Sequence, residues 1–150
     1  MINFRVNCSS AADIAAHLLR ADAFFKPALS RRVDIHEYSK KLFDKAVRFE
    51  AWLSRDLVGL VAIYCNQFND GRAFVSSVSV WPESQGQGIA SHLMRQCINF
   101  LEIEGFYHLD LEVDQRSLSA LSLYRKLGFT ILHSSGTLLL MEMPIERKKI

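Results

Sequence analysis

Gln85-Gly86-Gln87-Gly88 lies between a β-type run that ends at Trp81-Pro82 and an amphipathic run with apolar Ile89, Leu93 and Met94 at helical spacing. Glycine has no Cβ, so at 86 and 88 a ligand can approach the main chain and positive φ costs little. The unpaired N–H groups of the following helix's first turn would face that ligand, with the positive end of the helix dipole behind them. The chemistry is anion binding, and phosphate or pyrophosphate is the expected ligand. A P-loop is excluded because no Lys-Ser/Thr pair ends the stretch.

Other reactive side chains are dispersed. His17, His36, His92, His108 and His133 form no pair at ligand spacing on one helix face, and no metal is expected. Cys8, Cys65 and Cys97 are an odd set without a C-x-x-C spacing, which reads as reduced thiols in a cytoplasmic protein. Arg31 and Arg32 are adjacent in a loop, where solvated arginines are ordinary and contact with an anionic acceptor is the sharper alternative. The net charge of +2, with only Arg147-Lys148-Lys149 as a basic run, gives no nucleic-acid footprint. No apolar run reaches membrane-spanning length, and Met1-Ile2-Asn3-Phe4-Arg5 lacks the hydrophobic core of a signal peptide.

The elements that must position the loop fit one domain over residues 1–150, 49% hydrophobic, able to bury roughly 70% of its unfolded surface. A strand over 2–7 precedes a helix capped by Ser9 or Ser10 and running to about Phe24. Asp34 caps a second helix, Ile35 to about Phe49, with Ile35, Tyr38, Leu42 and Val47 inward. Phe49 to Ser54 and Leu57 to Asn66 form a hairpin turning at Arg55-Asp56, and Asn69-Asp70-Gly71 turns into a strand over 73–81. The helix after the glycine loop runs to about Glu104 and closes at Gly105, ahead of a strand His108 to Val113. A helix from Ser117 to Leu127 closes at Gly128, and strands Phe129 to His133 and Thr137 to Met143 flank a Ser134-Ser135-Gly136 turn. The fold class is α/β (α+β), in the order β-α-α-β-β-β-α-β-α-β-β. About seven strands make a mixed, largely antiparallel sheet covered by about four helices, with a right-handed crossover between the strands that flank the 87–104 helix.

With these elements in place, the chain resembles the GCN5-related N-acetyltransferase (GNAT) superfamily. Gln85-Gly86-Gln87-Gly88-Ile89-Ala90 is similar to that family's pyrophosphate-binding pattern, and Leu111 to Phe129, ending Leu-Tyr-Arg-Lys-Leu-Gly-Phe, to its second signature. The resemblance implies acetyl-CoA as co-substrate. The main chain at Val78 and Val80 would pair with the pantetheine arm, in a splay between strands 73–81 and 108–113. Gln85, Gly86, Gln87, Gly88, Ile89, Ala90 and Ser91 would hold the pyrophosphate. Tyr124 matches the tyrosine that protonates the departing thiolate, a task that suits a phenol. Two departures stand out. Ser117 replaces the asparagine many relatives carry, and can still cap its helix and give the cofactor one hydrogen bond. The strand before the loop offers Ser76, Ser77 and Ser79 where relatives often place a basic glutamate. Glu112, Asp114 and His108 are substitutes at hand, and none is assigned.

The expected function is acetyl transfer to the amine of a small molecule, an amino sugar or its nucleotide-linked form, by direct attack with Tyr124 as general acid. A homodimer is left open. The alternative is a non-catalytic acyl-CoA-binding or regulatory module. A nucleotide-binding oxidoreductase fits less well, because its glycine fingerprint follows the strand directly and opens the domain.

Overall fold

The computed structural model describes residues 1–66 and 70–146. Asn69 of the expected turn and the Arg147-Lys148-Lys149 run lie outside them. The strands are β1 (Ile2–Val6), β2 (Val47–Leu53), β3 (Asp56–Tyr64), β4 (Arg72–Val80), β5 (His108–Asp114), β6 (Thr130–Ser135) and β7 (Leu138–Pro144). The helices are α1 (Ala11–Ala21), α2 (Ile35–Lys45), α3 (Ile89–Glu104) and α4 (Leu118–Leu127). Element order and class are those expected, and the strands form one sheet in the order β1-β2-β3-β4-β5-β7-β6.

Local chemistry sets the boundaries. Ser10 caps α1 through a reciprocal box with Asp13, and Asp34 caps α2 by accepting from the Glu37 N–H at 3.0 Å. Gly105 and Gly128 close α3 and α4 in the left-handed conformation. Four boundaries differ from expectation. The first helix ends at Ala21 and continues as a one-turn 3-10 segment, Asp22–Phe24. The second stops at Lys45, because Val47 to Leu53 is strand whose charged Arg48 and Glu50 are buried, which disguises the two-residue period. The two hairpins turn at Ser54-Arg55 and Gly136-Thr137. Ser54 accepts a φ of 54° in place of the missing glycine.

The sheet separates two cores. On one face α3 and α4 pack Ile89, Leu93, Met94, Leu101, Leu121 and Tyr124 against β-strand residues. On the other, α1 and α2 pack Ile14, Leu18, Ile35 and Leu42 against Leu60 and Ala62. Gly59 lets α3 approach β3: a Cβ there would sit 2.8 Å from Ile89 Cγ2 and 3.2 Å from Ala51 Cβ. That contact seats the first turn of α3, and so the loop that enters it.

Candidate functional site

All neighbouring strands pair antiparallel except β4 and β5, which run parallel and pair over four residues, Arg72↔His108 to Val75↔Leu111. Beyond them β4 continues along β3 to Val80 and β5 continues along β7 to Asp114, so the expected splay is present. A bulge starts it. Ala62 pairs with Ser77 and Ile63 with Val75, leaving Ser76 as the extra residue in β4. The Tyr38 hydroxyl, from α2, donates to the Ser76 carbonyl at 3.1 Å and bonds the Ser76 hydroxyl. The bulge therefore shifts the side-chain phase, and Ser76 and Ser79 both turn toward the α1–α2 face.

The backbone of the opening follows from alternation. The Trp81 N–H donates to the Val58 carbonyl in β3 at 2.8 Å, so the polar groups of Val78 and Val80 point the other way, into the splay. The Gln85 side chain already donates to the Val80 carbonyl at 3.1 Å, a contact from the loop back to the end of β4 that the sequence did not suggest. Gly86 and Gly88 have φ of 80° and 74°, and a Cβ at either would meet nothing within 4 Å. Gly88 is the N-cap of α3 and supplies no side-chain cap, so the N–H groups of Ile89, Ala90 and Ser91 stay open while the Ile89 side chain anchors in the core. Gln87 is exposed beside them.

Tyr124 lies on the buried face of α4, 6% exposed, its ring edge-on to Phe129 at 5.7 Å between centroids. Burial pushes its phenol above the ordinary value, which keeps the proton on oxygen. Ser117 is the N-cap of α4, yet its side chain makes no capping bond, contrary to expectation. Asp114 organises this junction instead. Its carboxylate accepts from the Arg116 backbone and side chain at 2.8 to 2.9 Å and from Thr137 at 3.1 Å. These bonds hold it well below the usual carboxylate range, so it is a poor proton acceptor. His108 sits at the closed end of the parallel pairing, away from the opening, whereas exposed Glu112 follows Leu111, where pairing stops.

Comparison with known proteins fits this geometry. The sequence model of the Acetyltransferase (GNAT) family matches residues 14–129. The chain belongs to the GNAT acetyltransferase family. It is 35% identical over 74 residues to a streptothricin acetyltransferase of Streptomyces lavendulae, a match over 49% of this chain and 39% of that protein. The chain thus spans well under half of that relative's length. In fold it is similar to the ribosomal-protein-S18-alanine N-acetyltransferase from Escherichia coli, with a TM-score of 0.77, 19% identity and 99% and 97% of the two chains covered. It is also similar to the PaiA N-acetyltransferase from Thermoplasma acidophilum in complex with coenzyme A, with a TM-score of 0.73, 16% identity and 96% and 99% covered.

The α1–α2 face of this GNAT sheet holds residues to which the sequence assigns no role in the site. His17 is buried on α1 and bonds both Leu57 and Ser79. Tyr38, on the inner face of α2, is half-buried, and that burial raises its phenol to about 12 against the opposing hydrogen bond to Ser76 and the pull of nearby Arg32. Tyr64 and Ser77 carry buried hydroxyl oxygens that have no hydrogen-bond partner among the described residues. An open cavity of about 460 Å³ lies here, lined by Lys41, Tyr64, Arg72, Phe74 and Asp110 among others. The loop carrying exposed Arg31 and Arg32 reaches toward the start of α4, where the Lys26 ammonium donates to the Arg116 carbonyl at 3.4 Å. No sequence period marks these partners, because each bond joins residues far apart in the chain. Among the described residues, no cluster could hold a metal ion, and no helix is long and apolar enough to cross a membrane.

Proposed function

We propose that the chain transfers an acetyl group from acetyl-CoA to the amine of a small molecule, an amino sugar or a nucleotide-linked amino sugar. The observation that carries this reading is the opening between β4 and β5, bounded on the β4 side by main-chain groups and followed by a glycine loop with open N–H groups. The residues fit coenzyme A: an extended arm can pair with the edge of β4, and the space over Gly86 and Gly88 admits a pyrophosphate. Acetyl-CoA supplies an acyl carbon activated as a thioester.

Each residue then has a task. The Val78 and Val80 main chain holds the arm and polarises the acyl carbonyl, and the Ser117 hydroxyl, free of a capping role, gives one further hydrogen bond. The first turn of α3, from Gln87 to Ser91, faces the pyrophosphate. Tyr124 keeps a proton on oxygen until sulfur departs, donates it, and recovers it from solvent. The amine attacks in its neutral form, the carbon–sulfur bond breaks as the C–N bond forms, and the proton that the nitrogen sheds passes to solvent water; no general base is assigned. The small-molecule acceptor is supported by the streptothricin acetyltransferase match.

Calorimetry should detect acetyl-CoA binding, and a folded sample that binds none would sink the reading. Thiol release should then be followed with streptothricin, glucosamine, a nucleotide-linked amino sugar and a peptide with N-terminal alanine. Release with a sugar amine or streptothricin supports the small-molecule acceptor, and release with the peptide alone overturns it. Binding without release from any amine would favour the non-catalytic module, a reading that the absence of a carboxylate on β4 also suits.

A further inference from the structure

His17 has none of its surface exposed, and each ring nitrogen has one partner. Nδ1 lies 2.8 Å from the Leu57 carbonyl and Nε2 lies 2.7 Å from Ser79 Oγ. A carbonyl oxygen can only accept, so Nδ1 carries the proton and Nε2 of the neutral ring presents a lone pair. The Ser79 hydroxyl must therefore donate to it. Trp81 holds the arrangement, stacking on the imidazole at 6.0 Å between centroids and donating from Nε1 to the His17 carbonyl at 3.1 Å. Arg20 in turn covers the Trp81 ring at 4.7 Å. Burial lowers the His17 pKa to about 4, so the ring stays neutral at physiological pH.

A serine hydroxyl normally donates or accepts as its partner requires. Ser79 has lost that choice: its only proton is committed to His17, and its remaining lone pairs can only accept. It is partly exposed on β4, past the bulge and past the last pairing with β5. We propose that Ser79, held by His17 as an acceptor only, receives an N–H of the acceptor amine and leaves the nitrogen lone pair free to attack the acyl carbon. This rests on the acetyl-transfer reading above.

The orientation matters chemically. A freely rotating hydroxyl would donate to the neutral amine and occupy the electrons that must form the new bond. An N–H bond to Ser79 does the reverse, and it strengthens as the nitrogen gains positive charge on the way to the transition state. Ser79 is thus a catalytic residue that touches the substrate, and His17 is a positioning residue behind it. No proton passes to the imidazole: the nitrogen forms its bond to the acyl carbon, the carbon–sulfur bond breaks with the thiolate taking the Tyr124 proton, and the nitrogen's surplus proton leaves to solvent water.

The tautomer is read first, without any acceptor. In 15N spectra of the acetyl-CoA-bound protein, His17 should be protonated at Nδ1, with an Nε2 signal that moves in Ser79→Ala. A proton on Nε2 overturns the proposal. Kinetics use the panel amine that the unmodified protein acetylates fastest. Ser79→Ala should lower kcat about tenfold, the scale of one hydrogen bond, with acetyl-CoA affinity unchanged by calorimetry. His17→Leu should lose as much, the double variant no more than either, and His17→Gln, which can still donate to Leu57 and accept from Ser79, should recover most of kcat. Unchanged kcat in Ser79→Ala, with binding intact, overturns the proposal alone. Absent acetyl-CoA binding or thiol release in the unmodified protein strikes at acetyl transfer instead.

Discussion

Two polar clusters are buried against the α1–α2 face of the sheet, and they are built differently. Near β1 and β2, Glu50 is fully buried and accepts from the Cys8 and Ser9 N–H groups, the Ser9 hydroxyl and Trp52 Nε1. Arg48, 4% exposed, lies 3.5 Å from Glu50 and also donates to Ser9 Oγ, the Ser9 carbonyl and the carbonyls of Phe43 and Ala46. Around the β4 bulge, by contrast, the Tyr64 and Ser77 hydroxyls are buried without partners among the described residues, and Ser79 has lone pairs to spare. A buried network with its partners in place ties elements together, here the entry to α1 and the exit from α2 to β2. Buried hydroxyls left open cost stability in the free protein and suit a site that is completed by a ligand.

The largest effect should come from breaking the closed cluster. Glu50→Ala leaves the Arg48 charge buried without its counter-ion and should cost about 3–5 kcal/mol, read as a fall in the urea midpoint. Below the new midpoint, acetyl-CoA affinity should be unchanged.

Next comes the acid sensitivity of the open cluster. His17 has a folded pKa of about 4 against 6.5 unfolded, so between these values the unfolded chain binds the extra proton. The stability from keeping His17 neutral is complete above pH 6.5 and is lost as pH falls toward 4, by about 3 kcal/mol in all. Urea titrations across this window should show that slope, and His17→Gln should flatten it.

Tyr124→Phe tests the opposite face. It should lower turnover about a hundredfold, as loss of a general acid does, while acetyl-CoA binding and the melting temperature change little. Unchanged turnover would remove the assigned role.

The smallest effect sharpens the contrast most directly. Ser9→Ala deletes a hydroxyl with partners on both sides and should cost about 1–2 kcal/mol. Ser77→Ala deletes one without a partner among the described residues and should fall within about 0.5 kcal/mol of neutral. Equal costs in paired melts would collapse the distinction between the clusters.

The sequence showed the order of elements because its signals are local: glycine after α3 and α4, Ser10 and Asp34 before α1 and α2, and alternation in β5. The glycine loop was legible for the same reason. What escaped was long-range. The period of two along β4 gave no sign that Ser76 is an extra residue, and the bulge shows only in the pairing with β3. His17 and Ser79 are 62 positions apart, so neither suggested the other. Arg48 and Glu50 interrupt the apolar run of β2 and blur the end of α2, because mutual neutralisation in the core leaves no local trace.

The short parallel pairing also has a consequence for how the molecule assembles and breathes. Strands β1 to β4 form one antiparallel plate and β5 to β7 another, and in the sheet the plates meet over four residue pairs. The strands of that seam are joined through the 16-residue α3, so its contacts are less local than those of the hairpins on the β2–β4 side and are expected to form after them. The same seam is the least reinforced line in the native sheet. Slow amide exchange should therefore hold on both plates while the join between them opens first, a built-in weakness along the line where a ligand would part the strands.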